Sequence, residues 1–481
     1  MIGKILQALG IKESASVSDS ISKLAVKNNI AALLKTTPEA LAAFEAAYKK
    51  QALDTNELPE NLFEVSAQQA KGEKERPPLD AYLEEIISRI VDELLEQTAW
   101  FSYDGACISE GDSIPTGRTS PNITQKDLDR IPIELRPQLA GDLMKCDIAE
   151  PSYRILLEEY AEYLKAPHTE RGRQMYKLFR QGLDILDLDP VTYEMIRMNG
   201  NSIGKWFPAL ASAVQKQSYF KVPATKFIEV PLSLLQLTRC DYMGLTPSTI
   251  AIVDRYCQKV FDLDTNKDYF VKTGVYSSKF DFRNAHVTGE KEVKELGEYL
   301  LFIHFLSSQM AAPKDKSIYG VATTTEWVVR EYIEDKEGNP TIYKGMPLHT
   351  EFRVFVDFDT QKIIGVTPYW EPEVMKRRFA HEEDADSPHQ IHDYIIYAAH
   401  EETLMDRYHQ HVDEVCAHLE EMIPDIALSG QWSVDIMLNG KDMWIIDMAL
   451  AQNSALINCV PKNLLRPSRE DWIPKLPCTN K

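Results

Sequence analysis

The chain has 481 residues, a formal net charge of −20 and 44% hydrophobic residues. At roughly 100–200 residues per domain, that length suggests two to four folding units with ample core. The acidic balance, with no long basic run, argues against an extended nucleic-acid surface, because duplex binding draws on Lys and Arg that neutralise phosphates. Seven cysteines are scattered without a C-x-x-C pair. An odd, dispersed set fits neither a disulfide framework nor a zinc site, and it suits a reducing compartment. The opening MIGKILQALGIKESAS turns polar too early for a secretory signal. No stretch approaches the ~20 apolar residues that span a bilayer. The expectation is a cytoplasmic protein with no membrane partner.

In chain order, residues 1–95 read as a helical, alanine-rich arm, interrupted by a linker over 54–78 that is rich in charge and proline. Its plainest role is packing or oligomerisation. Residues 96–218 read as a connector or substrate region, irregular over 96–150 and helical from Tyr153 to Ile185 and from Pro190 to Val214. Near Tyr219 the pattern changes. Short β-rich runs alternate with helices: strands around YFKVPATKFIEV, DYFVKTG, EWVVREYI, EFRVFVDF, KIIGVTPYW, QWSVDIML and DMWIIDMAL, with helices over Pro247–Phe261, Lys291–Gln309 and Ile391–Met422. This mixture predicts an α+β catalytic domain over 219–481 behind a mostly helical N-terminal region.

Four segments carry candidate chemistry. In YFVKTGVYSSKFDF, Lys272 ends a short β run, and Gly274, Ser277, Ser278 and Lys279 follow. A strand-end ammonium can meet a phosphate as a point charge, and a Gly/Ser loop offers backbone N–H groups to its oxygens. A surface lysine before a turn fits the same residues. In TEWVVREYIED, Arg330 and Glu331 interrupt an apolar strand, which is costly unless they are paired, functional or turned to solvent. In HTEFRVFVDFD, alternation puts Glu351 and Arg353 on one face and Phe352, Val354 and Val356 on the other. In WSVDIMLNGKDMWIIDMALAQN, Asp435 and Asp447 each sit inside an apolar run. Two neighbouring buried carboxylates repel each other, and a divalent cation relieves that. Mg²⁺ is usually held by one or two carboxylates plus substrate phosphates.

In this order the segments resemble the ATP-grasp superfamily. Upstream, KWFPAL and KVPATKFI resemble the entry segments of the viral and bacterial branch marked by two Arg and a Lys. They are also similar to the cell-division-cycle type of ATP-grasp chaperone. The resemblance covers about Lys221–Leu465. It implies two α+β subdomains that sandwich ATP, with Mg²⁺ as the metal. Lys272 would then contact the phosphates, Glu331, Tyr332 and Ile333 would form the adenine hinge, and Ser277, Ser278, Lys279 and Glu351 would complete the nucleotide site. Arg330 and Arg353 would neutralise developing charge, and Asp435, Asp447 and Asn453 would hold the metal. The family's last acidic residue usually stands two positions before its Asn, whereas here Ala449 follows Asp447 at that spacing.

The implied activity is a carboxylate–amine or carboxylate–thiol ligase that works through an acyl phosphate and releases ADP and phosphate. Its carboxylate and nucleophile are unidentified. One alternative is an ATP-binding assembly chaperone. Another is a nucleotidyl ligase through lysyl-AMP, though KTGV lacks the K-x-D-G order expected there. Shared metal ligation sets a parity condition. A two-residue Asn439-Gly440 turn pairs Leu438 with Lys441 and sends Asp435 and Asp447 to opposite faces, while an odd loop brings them to one face. Of the histidines of the long helix (His400, His409, His411, His418), His400, His411 and His418 share an angle along the edge of its apolar face and read as boundary residues, and HEEDADSPH at 381–389 reads as a solvated loop.

Overall fold

The computed structural model describes residues 88, 90–92, 94–111, 193, 197, 199–239, 247–310, 324–379 and 390–466. The linker 54–78, the helix expected over Tyr153–Ile185 and the acidic loop 381–389 lie outside the described residues, as does nearly all of the arm 1–95.

The strands run in chain order as β1 (Trp100–Tyr103), β2 (Ile108–Gly111), β3 (Phe220–Lys221), β4 (Thr225–Glu229), β5 (Tyr269–Thr273), β6 (His286–Val287), β7 (Glu326–Glu331), β8 (Thr341–Ile342), β9 (Met346–Pro347), β10 (Glu351–Asp357), β11 (Lys362–Pro368), β12 (Gln431–Asn439) and β13 (Asp442–Leu450). They form an antiparallel six-stranded sheet, β2-β1-β4-β7-β5-β6, and a five-stranded sheet, β11-β10-β12-β13-β3, with one parallel pairing between β13 and β3. β8 and β9 make a small ribbon. The main helices are α1 (Phe207–Val214), α2 (Pro247–Phe261), α3 (Leu296–Met310), α4 (Pro372–Phe379) and α5 (Ile391–Met422). The architecture is α+β. No helix among the described residues is long and apolar enough to cross a membrane.

Strand alternation explains the layers. On the six-stranded sheet, Ile228, Val271, Trp327 and Val329 face α2 and α3, where Val253, Tyr256, Leu300 and Ile303 complete a core. Gly297 permits that approach, since a Cβ there would lie 2.7 Å from the Asp254 backbone nitrogen. Phe101, Tyr103, Phe227 and Val328 face the other way, onto α1 and a second core. That core continues through Phe352, Val354, Val434 and Ile436 of the five-stranded sheet to Tyr408, Val415 and Leu419 of α5. One apolar body thus joins the two sheets, and the cleft opens beside it.

Residues from either side of the expected 218/219 boundary pack together: β1 pairs with β4 from Trp100↔Ile228 to Tyr103↔Thr225, and α1 fills the shared core. Two sequence expectations change. Residues 100–111 form a hairpin, not an irregular stretch. Asp104 Oδ1 accepts the Ala106 and Cys107 backbone N–H groups at 2.9 and 2.7 Å, and Gly105 turns the chain at φ +99. That Asp-Gly pair was the missed signal. The helix expected over 291–309 breaks at Glu295, between Gly289–Lys294 and α3.

Candidate functional site

Antiparallel pairing collects the charges. Phe270 and Lys272 of β5 share a face, as do Val328 and Arg330 of β7, and the register sets Phe270 against Arg330 and Lys272 against Val328. On the second sheet, Arg353 of β10 pairs with Asp435 of β12, which pairs with Asp447 of β13. The row of three faces the first sheet, and Lys272 Nζ reaches Asp447 at 3.1 and 3.2 Å across the gap.

The aspartates share that row through a feature absent from the parity expectation. Asn439 pairs with Asp442, so the turn is Gly440-Lys441, one residue later than expected, with Gly440 at φ +68. The turn is even, and alone it would separate the two carboxylates. The register then shifts: Ile436 opposes Ile445, Asp435 opposes Asp447, and Ile446 is the extra residue of a β-bulge. The bulge supplies the odd count. Arg330 Nη1 donates to the Ile446 carbonyl.

A cavity of about 170 Å³ lies between the sheets. Lys272, Ser277, Lys279, Arg330, Glu331, Tyr332, Ile333, Glu351, Asp435 and Asp447 line it. Its apolar lining includes Phe270, Phe282, Met346, Pro347, Met437 and Ile446. Tyr332 stacks on His286, with ring centroids 3.9 Å apart. The Glu331 side chain turns to Lys267 at 3.1 Å, and Ile333 has a backbone N–H with no partner among the described residues.

Lys272 is 1% exposed, and burial lowers its pKa against the opposing pull of Asp447. It is therefore no surface lysine. Arg330 is 5% exposed and makes no ion pair among the described residues. Its Nε has no partner, and its Cζ lies 5.8 and 5.5 Å from the Trp206 and Phe207 rings. Burial lowers its pKa too. Lys279 donates to the Tyr369 hydroxyl and lies 4.5 Å from that ring. Burial pulls Lys279 down and pushes Glu351 up, each partly offset by the other. Glu351 accepts Trp370 Nε1 at 3.2 Å.

Three expected site residues stand off the lining. Arg353 lies behind Asp435 in a two-point pair at 2.8 and 2.6 Å, with Tyr369 against its Cζ at 4.6 Å. Ser278 is buried at φ +45 and starts the turn that carries Lys279. Asn453 follows β13, and its Oδ1 accepts Asn201 Nδ2 at 3.0 Å. Tyr369 and Trp370 are cleft residues that sequence reading missed. Their only signal was an aromatic pair at a strand end.

The loop after Lys272 is pinned, not loose. Thr273 N–H donates to the Tyr276 carbonyl at 2.9 Å, and Gly274 N–H to the Glu326 carbonyl at 2.9 Å. A Cβ on Gly274 or on Gly204 would collide with the Glu326 carboxylate. Burial in that wedge pushes Glu326 up to about 7, against ~4.3 for a free glutamate. With the folded value raised, its stabilising contribution is full below about pH 4.3 and is lost as pH rises through about 7. Glu326→Gln is expected to gain on the order of 1–3 kcal/mol over the parent at about pH 8, and little at about pH 4. Denaturant midpoints at the two pH values check this; an equal difference at both would show that ionisation of Glu326 plays no part.

Asp335, Glu337 and His349 form the one group of potential metal ligands of three or more His, Cys, Asp or Glu among the described residues. The Asn339 amide occupies its centre, donating to Asp335 at 3.0 Å and to Glu337 at 3.4 Å and lying 3.3 Å from His349 Nδ1. It is a closed polar network. His400, His411 and His418 of α5 are half-buried, with His411 and His418 beside Glu414 and Glu421 at 3.6 and 3.3 Å, and His409 is exposed.

No family model matches the chain, and no curated protein matches it. Among solved structures it is similar to C-terminally truncated Cdc123 from Schizosaccharomyces pombe, at 14% identity and a TM-score of 0.30, over 57% of this chain and 95% of that one. It is similar also to Cdc123 from the same organism, at 14% identity and a TM-score of 0.31, over 57% of this chain and 96% of that one.

Proposed function

We propose that the cleft binds ATP with Mg²⁺ in the ATP-grasp manner. The observation that carries this is Arg330, a buried guanidinium on the cleft lining with no carboxylate partner among the described residues. Burial penalises its charge and is opposed by Asp447, a carboxylate already bonded to Lys272, so the guanidinium is left short of counter-charge, which a polyphosphate supplies. Lys272 and Lys279 add charge along the same lining, and its apolar residues offer a base its ring contacts. Ile333 N–H, which has no partner among the described residues, adds a donor to the lining.

The donor set suits one Mg²⁺. Asp447 is the more open carboxylate, at 39% side-chain exposure, and keeps lone pairs beyond those facing Lys272. Asp435 reaches the lining but gives both oxygens to Arg353. Asn453 gives its oxygen to Asn201. Asp447 would hold the ion, with Asp435 beside it. Bound there, Mg²⁺ would neutralise phosphate charge. Lys272 then holds Asp447 in place, and Arg330 binds the anion.

With one open carboxylate, the arrangement suits retention of ATP by an assembly chaperone better than rapid phosphoryl transfer. The ligase reading keeps a specific support: Lys279 and Glu351, buried on one lining with their proton affinities drawn together, suit proton transfer to or from an acceptor. Incubating the protein with radiolabelled ATP and Mg²⁺ separates the two. The chaperone reading expects bound, intact ATP after gel filtration. Steady ADP release that depends on added carboxylate and amine would establish the ligase. The absence of bound nucleotide in both forms would refute the ATP site.

A further inference from the structure

Behind the cleft, residues Asn199–Phe207 touch both sheets. Ile203 N–H donates to the Gly274 carbonyl at 3.0 Å, two residues after Lys272. Gly204 N–H donates to Glu326 Oε2 at 3.2 Å, and the Ser202 and Thr324 hydroxyls meet at 2.9 Å. These bonds belong to the lysine side. The Asn201 side chain turns the other way. Its Oδ1 accepts the Leu450 backbone N–H at 2.8 Å, and its Nδ2 donates to Asn453 Oδ1 at 3.0 Å. Leu450 ends β13, three residues beyond Asp447, and Asn201 is 3% exposed.

We propose that Asn201 is a positioning residue that fixes the end of β13, and so holds the Asp447 carboxylate against Lys272 at the metal side of the cleft. The inference rests on the MgATP reading for its role, but its geometry stands apart. β13 needs such a tether because the Ile446 bulge interrupts its ladder next to Asp447. A bulge loosens pairing locally, and a buried side chain that bonds the strand beyond it restores one fixed course. The lysine loop has its own backbone tether through Ile203, which an Asn201 substitution leaves in place.

The test uses the full chain and two readouts: hydrogen exchange over residues 447–453, and equilibrium binding of ATP with and without Mg²⁺. Asn201→Ala is expected to speed exchange over 447–453 while exchange over Tyr269–Thr273 stays as in the parent. Its affinity for MgATP should fall about tenfold, as for residues that orient a metal ligand, and its affinity for metal-free ATP about twofold or less. Asn201→Asp keeps an acceptor for Leu450 N–H and should retain most of the exchange protection. Unchanged exchange over 447–453 in Asn201→Ala would overturn the proposal, as would equal losses with and without Mg²⁺. If the parent protein binds no MgATP, the functional reading fails, and the exchange result alone then decides the role of Asn201.

Discussion

Arg330→Met should make the ligand-free protein more stable and the nucleotide bind worse. The guanidinium is buried and makes no ion pair among the described residues, with only Asp447 opposing the effect of burial, so its charge costs stability while no anion is present. Methionine fills similar volume and makes favourable contacts with the Trp206 and Phe207 rings that now flank the guanidinium. The Ile446 carbonyl loses a donor, but Ile446 lines the open cleft, where water can replace it. The expected net gain is about 1 kcal/mol in the unliganded state. ATP affinity should fall about 10–100-fold, the worth of one charge-assisted hydrogen bond to phosphate. Denaturant unfolding and equilibrium ATP binding check the two halves. A variant that loses stability and keeps affinity would place Arg330 among structural residues.

Lys272→Met should lower MgATP affinity by about 10–100-fold with stability changed by about 1 kcal/mol or less. The ammonium is the one cation paired to Asp447 among the described residues, so its removal frees the carboxylate and takes away the phosphate contact proposed for it. Asp447 is open enough to be solvated. The choice of methionine matters. A strand-end lysine would contribute little to the core, but this side chain is buried at 1% exposure, and alanine would also leave a cavity. Comparing Lys272→Ala with Lys272→Met separates packing from charge: both should bind MgATP weakly, and only alanine should unfold markedly earlier. Parent-like affinity in Lys272→Met would remove Lys272 from the site.

The parts of this site that were legible in the sequence share one trait. Lys272, Arg330, Asp435 and Asp447 are charged residues within apolar strands, and burying such residues needs a reason. Their strands were readable as short β-rich apolar runs, as α2 and α5 were as helices, and both helices run between the expected residues. What was not legible depends on contacts far along the chain. Asn201 bonds Leu450 across 249 positions, and nothing in NGNSIGK marks it. The Ile446 bulge has no glycine to announce it, yet it decides which face Asp447 takes. Arg353 was readable as a strand charge, but its closure by Asp435 follows from a cross-strand register that one strand alone does not carry.

The most direct test of the account is an isothermal titration of the intact protein with ATP, with and without Mg²⁺. Saturable binding of one ATP per chain is expected, tighter with Mg²⁺ than without, and weakened together in Arg330→Met and Lys272→Met. No binding of ATP under either condition, or binding that both variants retain in full, would contradict it.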